Sequence, residues 1–475
     1  MQTTRYQSIN TALEVTEIDP LVEKSLVRKL DTRLLPFLSL MYLFSSLDRS
    51  SLGNAVLDNF EEDVHITPDQ FNTCVTIFYV GFLTFQIPSN ILVKRFSAKI
   101  WLPLLMVLWG TVATLHATAS SYGQLITLRF FLGLFESGFF PGVIYYLTLF
   151  YKKSEMATRI ALFWGSSVAA HAFAGVLAFG ILQLRGRGSL AGWQWLFLIE
   201  GIPTILLAFV AWWYLPRSPD QWMFLTSEER LVSLQRLDKD NHMTLGDLDA
   251  NNKKQAYMAL SDWKVWMWMV MFFCGSVPNT SVSNFLPSIV KGMGYSDKLS
   301  ANLMSAPPYV CAVVVMIAFA YSSDRLGDRA FHAVGGAGLC LLGYILLLAA
   351  PSIAYGGVCI AVSGIFIINP IVNAWLTNNI APDMKKSVAT AMAVMANNSA
   401  GLVGSNIYRA SDAPRYRFGH LVNVVFLCMF ILLTLAQRYL LSRANRQKKQ
   451  KQTEMTEDQQ DELVGDQALD YMYRL

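Results

Sequence analysis

Apolar stretches of about 20 residues recur down this chain, and each is long enough to cross a ~30 Å hydrocarbon layer as a helix. Twelve can be read: 34–56, 71–93, 100–119, 125–151, 158–182, 193–215, 265–290, 299–322, 331–350, 353–376, 387–408 and 418–441. The seventh and eleventh carry many polar residues. A backbone in lipid must satisfy its own hydrogen bonds, and runs of this length do so as helices. Charged residues make up 15% of the chain, against about 25% in soluble domains. An all-α membrane protein is expected, with twelve transmembrane helices.

The basic residues orient these spans. Arg and Lys crowd the segments before the first (Lys24, Arg28, Lys29, Arg33) and after the second (Lys94, Arg95, Lys99). They recur after the fourth, eighth and tenth spans and from Arg438 to Lys451, whereas the turn from Asp58 to His65 has none. This positive-inside pattern places both termini in the cytoplasm. Residues 1–33 are polar, so no cleaved leader is expected. The polar break from Pro216 to Trp263 includes Thr226-Ser-Glu-Glu229, with the spacing of a capping box, so a short amphipathic helix is expected there. The expected division is an N-terminal cytoplasmic segment (1–33), a six-helix bundle (34–215), a cytoplasmic linker (216–264), a second six-helix bundle (265–441) and a cytoplasmic tail (442–475).

The fourth span contains charges that lipid does not tolerate: Arg129 and Glu136, seven residues apart. Seven residues are nearly two helical turns, so both side chains emerge on one face, about 10 Å apart along the axis. A charge at bilayer depth costs at least ~2.5–3.5 kcal/mol unless it faces a partner or water. Gly138 and Gly142, four apart, mark a face another helix can approach closely. The first span adds Asp48 and Arg49, so the four charges sum to zero. A structural ion pair between helices is one reading; a binding or proton-relay site is the other, favoured by the second charged pair. In that reading Arg129, with Arg49, attracts a substrate carboxylate through paired hydrogen bonds. Asp48 and Glu136 take up protons, and an anion that engages Arg129 favours protonation of Glu136.

A repeat divides the chain. After the eighth span comes Ala320-Tyr-Ser-Ser-Asp324-Arg325-Leu-Gly327-Asp-Arg329; after the second, Asn90-Ile-Leu-Val-Lys94-Arg95-Phe-Ser97-Ala-Lys99. This resembles the G-x-x-x-D-R-x-G-x-R/K loop of the major facilitator superfamily, in which two pseudo-symmetric six-helix bundles flank a central cavity. The first copy departs, with Lys94 at the aspartate position and Ser97 at the glycine position. The family's loop is thought to latch the cytoplasmic side. Ser46-Leu-Asp48-Arg49, Tyr79-Val-Gly81 through Gln86-Ile-Pro88, Arg129-x-x-x-Gly133-x-x-Glu136 and Gly192-Trp-Gln-Trp195 through Glu200-Gly201 narrow it further. Together they resemble the anion:cation symporter family, and within it the fungal allantoate- and nicotinate-permease-like branch. The resemblance implies proton-coupled import of small carboxylates and vitamins (nicotinate, allantoate, pantothenate) across the plasma membrane. It assigns that work to Asp48, Arg49, Arg129 and Glu136.

Other residues carry two readings each. Tyr79 offers a hydroxyl to a cavity or packs between helices. Asn397 and Asn398 bind a polar ligand or bond between helices. His171 titrates or makes a helix contact. Pro278 and Pro287 suggest a broken seventh span, Asn369-Pro370 with Asn373 a local kink, and Glu200 is read as structural. The six cysteines stand singly, so no disulfide framework or metal site is expected. Neither a hydrolase or metalloprotease motif nor a Walker-A loop is present, so neither an enzyme nor an ATP-driven pump is expected, and no cofactor. The expected partners are a small organic anion, protons and the bilayer, with no nucleic acid, and the chain is expected to be a monomer. An exporter of an acidic metabolite or drug is the main alternative, and a non-transporting nutrient sensor a further one.

Overall fold

The computed structural model describes residues 19–152, 155–242, 257–294, 298–381, 383–454, 466 and 471–475. In chain order its principal helices are α1 (Pro20–Lys29), α2 (Leu35–Ala55), α3 (Pro68–Phe96), α4 (Ala98–Leu115), α5 (Tyr122–Glu136), α6 (Phe139–Thr148), α7 (Met156–Leu182) and α8 (Gly192–Tyr214). There follow α9 (Ser227–His242), α10 (Trp263–Gly292), α11 (Lys298–Leu303), α12 (Ala306–Leu326), α13 (Ala330–Ala349), α14 (Ala354–Asn379), α15 (Asp383–Gly404) and α16 (Arg417–Glu454). Helix covers each of the twelve apolar stretches. The fourth is split between α5 and α6, and the eighth between α11 and α12.

Nine helical stretches among the described residues are long and apolar enough to cross a membrane. The three that fall outside this set, α2, α10 and α15, are rich in serine, threonine, asparagine and charge. A helix that borders water needs an apolar surface only where it meets lipid or its neighbours, and all three contribute to the cavity described below.

Local chemistry sets the helix ends. Thr67 accepts from the Gln70 amide at 3.3 Å while Gln70 accepts from the Thr67 amide at 2.9 Å, and Pro68 follows at the first helical position of α3. The expected box at Thr226 and Glu229 forms in the same way and starts α9. Pro278 and Pro287 do not break α10, contrary to expectation. Polar side chains between them bond back to the helix: Thr280 to the Ser276 carbonyl at 3.1 Å, Ser281 to Pro278 at 2.9 Å and Asn284 to Thr280 at 2.8 Å. Such bonds let a buried helix carry proline without unwinding.

In the first half, α2 packs on α7 and α8, α3 on α5, and α4 on α5 and α8. In the second, α13 packs on α14 and α16, α12 on α14, and α10 on α14, α15 and α16. The halves meet where α2 touches α10, α3 touches α15, and α7 touches α11 and α12. The Gly138–Gly142 face receives two neighbours, for a Cβ on Gly138 would strike Ser89 and one on Gly142 would lie 2.8 Å from Leu102.

Ion pairs knit the end that carries most of the basic loops. Arg236 on α9 is fully buried and donates to the Phe150 carbonyl at 2.7 Å, and Lys29 on α1 pairs with Glu229 at 2.8 Å. On the second half, Asp466 and residues 471–475 dock against the ends of α10, α14, α15 and α16. Buried Asp466 pairs with Lys264 at 2.6 Å and with Lys385 at 2.8 Å; the Arg474 carbonyl accepts from Trp375 at 2.9 Å. Part of the tail is therefore integral to this half rather than free.

Asp466→Ala leaves two lysines, one of them 1% exposed, with Asp262 the one carboxylate opposite among the described residues. Breaking a buried pair from one side costs about 3–5 kcal/mol, and the surviving Asp262 holds the loss near the lower figure. A lowered melting temperature of the purified protein is the expected result; an unchanged one removes the tail from the fold's stability.

Candidate functional site

Between the halves lies a cavity open to one side. Its wall includes Tyr42, Arg49, Phe82, Gln86, Phe140, Trp164, Phe272, Asn373, Thr390, Asn397 and Asn398. Most of these sit on the halves of their helices nearest the basic loops, so the cavity opens toward that end. The opposite end is shut. There Asn72 donates to the Tyr408 carbonyl at 3.3 Å, Thr76 meets Ser405 at 2.7 Å, and Asn406 donates to Thr76 at 2.8 Å. All three bonds cross from α3 to the second half.

Arg49 is the one cation among the described residues that line the cavity. Its Nε donates to Glu136 Oε1 at 2.8 Å, with the Arg49 side chain 29% exposed and that of Glu136 fully buried. Ser45 donates to the same carboxylate oxygen, and Glu136 Oε2 has no partner among the described residues. The guanidinium lies 5.0 Å from the Phe82 ring centre and 5.7 Å from that of Phe78. Arg49 thus rests on aromatic faces with one nitrogen committed. No other hydrogen bond holds it among the described residues. An anion entering the cavity meets a fork of N–H donors that can bind a carboxylate in two parallel bonds.

The sequence puts Arg129 and Glu136 on one helix face about 10 Å apart along the axis; in the structure Glu136 is bonded by Arg49 and Ser45. Arg129 is 3% exposed, does not line the cavity, and leaves Nε and Nη2 without partners. Asp48 is 4% exposed with Oδ2 unpartnered. Tyr79 stands in the closed face between the halves, its hydroxyl 3.4 Å from Asn284 Nδ2. Asn397 lines the cavity and accepts from Ser276, while Asn398 donates to its own helix at Val394. His171 bonds the Ser167 carbonyl at 2.7 Å and packs against Tyr309 and Phe366, the geometry of a helix contact.

The loop between α12 and α13 is tied within its own half. Asp324 pairs with Arg329 at 2.5 Å, Asp328 with Arg438 at 2.6 Å, and Gly327 takes the left-handed backbone that ends α12. Arg325 and Arg95 are exposed; the Lys94 side chain lies outside the described residues. Gln86, Tyr42, Trp164 and Phe272 are lining residues to which the sequence reading gave no role. Gln86 was findable, as an amide in an apolar helix, with Oε1 buried and unpartnered. The aromatics carried no signal distinguishing them from core.

Comparison with known proteins fits this architecture. The family model described as Major Facilitator Superfamily matches residues 38–405. The chain is 37% identical over 425 residues to the MFS-type transporter efuF of Hormonema carpetanum, covering 88% of this chain and 85% of that protein. It is 35% identical over 409 residues to the major facilitator-type transporter hxnP of Emericella nidulans, covering 84% and 82%. Among solved structures, a bacterial homolog of the human lysosomal transporter Spinster, inward-facing and unoccupied, superposes with a TM-score of 0.69 at 15% identity. That match covers 89% of this chain and 98% of the other. A D-xylose-proton symporter gives 0.67 at 15%, covering 85% and 96%.

Proposed function

The chain belongs to the major facilitator superfamily and is a membrane transporter, not an enzyme; from that premise we propose that it is a proton-coupled symporter of a small organic anion working by alternating access. It belongs, in this reading, to the anion:cation symporter branch, with twelve crossings in two six-helix bundles (34–215 and 265–441) joined by a cytoplasmic linker. It stands as a monomer in the plasma membrane with both termini cytoplasmic. The described form is then inward-open: the cavity faces the basic loops, and the outer face is shut.

The observation that carries the proposal is Arg49 on the cavity wall, paired with the buried Glu136 behind it. A carboxylate that binds Arg49 competes with Glu136 for the guanidinium. Glu136, fully buried, then loses its counter-charge, and a buried carboxylate without one is relieved by a proton. Anion and proton therefore bind cooperatively, and by reciprocity each raises the affinity for the other. Arg129 and Asp48, sealed here, take the corresponding part when the outer side opens, and Tyr79 and Asn397 add polar contacts. The loop residues Asp324, Arg325, Gly327 and Arg329, with Lys94 and Arg95, latch the inner side once it closes.

The test is uptake by cells expressing the protein, screened over radiolabelled nicotinate, allantoate, pantothenate, biotin and sugar acids, with the outside pH lowered in steps. An importer accumulates its substrate when outside pH falls. Glu136→Gln is expected to abolish that uphill accumulation while substrate exchange continues, because the glutamine still accepts from Arg49 but cannot titrate. Unchanged acid-driven accumulation in the variant removes Glu136 from the coupling.

A further inference from the structure

Glu200 is the only charged residue of α8 and plays no part in the arrangement above. It is 3% exposed, and no cation pairs with it among the described residues. Its Oε1 has no partner among the described residues, and its Oε2 meets Ser51 Oγ on α2. Ser51 also donates to the Leu47 carbonyl at 2.8 Å.

A hydroxyl has one hydrogen and cannot donate to two acceptors at once. With a bare carboxylate, one of the two contacts lacks a hydrogen. With a proton on Oε2, Glu200 donates to Ser51, Ser51 donates to Leu47, and both contacts are hydrogen bonds. The uncharged acid also removes the burden of an unpaired charge in the membrane interior.

Asp48 lies one turn before Ser51, so the two share a face of α2. It is buried, with its own Oδ2 unpartnered. The other ionisable groups on the elements packed against α8, among the described residues, include Tyr42 and Arg49 on α2, Asp58 and Asp63 in the turn after α2, His116 after α4, His171 on α7, and Lys99 and Arg159 at the inner end. His116 is buried with Nδ1 on the Val112 carbonyl and Nε2 free. Asp58 is held by Arg185 at 2.9 Å, and Arg159 by Asp31 at 2.7 Å.

We propose that Glu200 is a second proton-binding site, coupled to Asp48 across α2 and distinct from the Arg49–Glu136 pair. It holds its proton in the inward-open form, on the outer side of that pair, and gives it up reversibly. The only bond made or broken is O–H, and the proton leaves to water. The inference rests on the proton-coupled reading for its place in the cycle, but not for the protonation itself.

Infrared difference spectra of the full chain in lipid bilayers test it, with the proton as the only probe. On titration, the wild type is expected to show a protonated-carboxyl C=O band that appears and vanishes reversibly. Glu200→Gln should lose this band, Glu136→Gln should keep it, and Asp48→Asn should shift its midpoint. A spectrum unchanged in Glu200→Gln, or a band that does not titrate, overturns the proposal. If Glu200→Gln fails to fold, Ser51→Ala keeps the acid and removes its partner. A displaced band then supports the proposal, and an unmoved one overturns it. A wild type that accumulates anions with no proton requirement sinks the symport reading alone, because the band still reports on Glu200.

Discussion

Arg49→Gln should abolish anion transport while leaving the protein folded and in the membrane. A hydrogen bond to a charged group is worth about 1.5–3 kcal/mol, so losing a two-pronged carboxylate contact removes roughly 3–6 kcal/mol, a factor of about 10²–10⁴ in affinity. The fold should survive because the guanidinium makes one hydrogen bond and is partly open to the cavity. Arg49→Lys keeps the charge but loses the fork and the stacking on Phe78 and Phe82, and a loss of about tenfold is expected. Arg129→Gln is the informative contrast. Arg129 is sealed away from the cavity in this form, so anion binding measured from the inner side should be nearly normal while net uptake fails. Binding to inside-out vesicles, compared with uptake by cells, separates the two. Equal loss of inner-side binding in both variants defeats the assignment of Arg49 as the inner anion contact.

What the sequence made legible follows from which forces are local. Apolar runs of membrane length located a helix over each of the twelve stretches, because hydrocarbon thickness imposes a length that composition displays directly. The capping residues at Thr226 and Glu229 were readable for the same reason: a helix start is satisfied by neighbours in sequence. Four charges in apolar spans flagged the charged cluster, since lipid makes such residues conspicuous. Their pairing was not legible. Periodicity placed Arg129 and Glu136 on one face, but the partner of Glu136 comes from α2, and no local rule gives the depth at which two helices cross. The break between α5 and α6 falls at Glu136-Ser137-Gly138, inside a span whose length alone reads as one crossing. The docked tail was unreadable too, because residues past α16 are polar and only the fold shows that Lys264 and Lys385 await them. In α10 proline alone suggests a break, whereas the serine, threonine and asparagine around it keep the helix continuous.

Gly53→Ala should stop transport by a different route, by preventing the outer face from closing. The halves touch there backbone to backbone. A Cβ on Gly53 would stand 2.4 Å from the Asn284 carbonyl oxygen, and one on Gly401 would stand 2.3 Å from the Tyr79 ring. Neither obstacle is the far end of a flexible side chain, so α2 and α10 must separate to admit even one methyl. Overpacking of this kind costs about 1–3 kcal/mol, which moves a two-state balance by roughly 5- to 150-fold. In the alternating-access reading α2 and α10 part when that face opens, so the cost is expected to fall on the closed face alone. The fold should therefore persist with its population shifted outward. Ser405, fully buried beside Thr76, reports on this. In a cysteine-free background, Ser405→Cys should react slowly with an impermeant maleimide added outside, and at least five times faster when Gly53→Ala is also present. Slow labelling in the double variant, or equal loss of melting temperature in both open and closed forms, would mean that the glycine serves packing and not the switch.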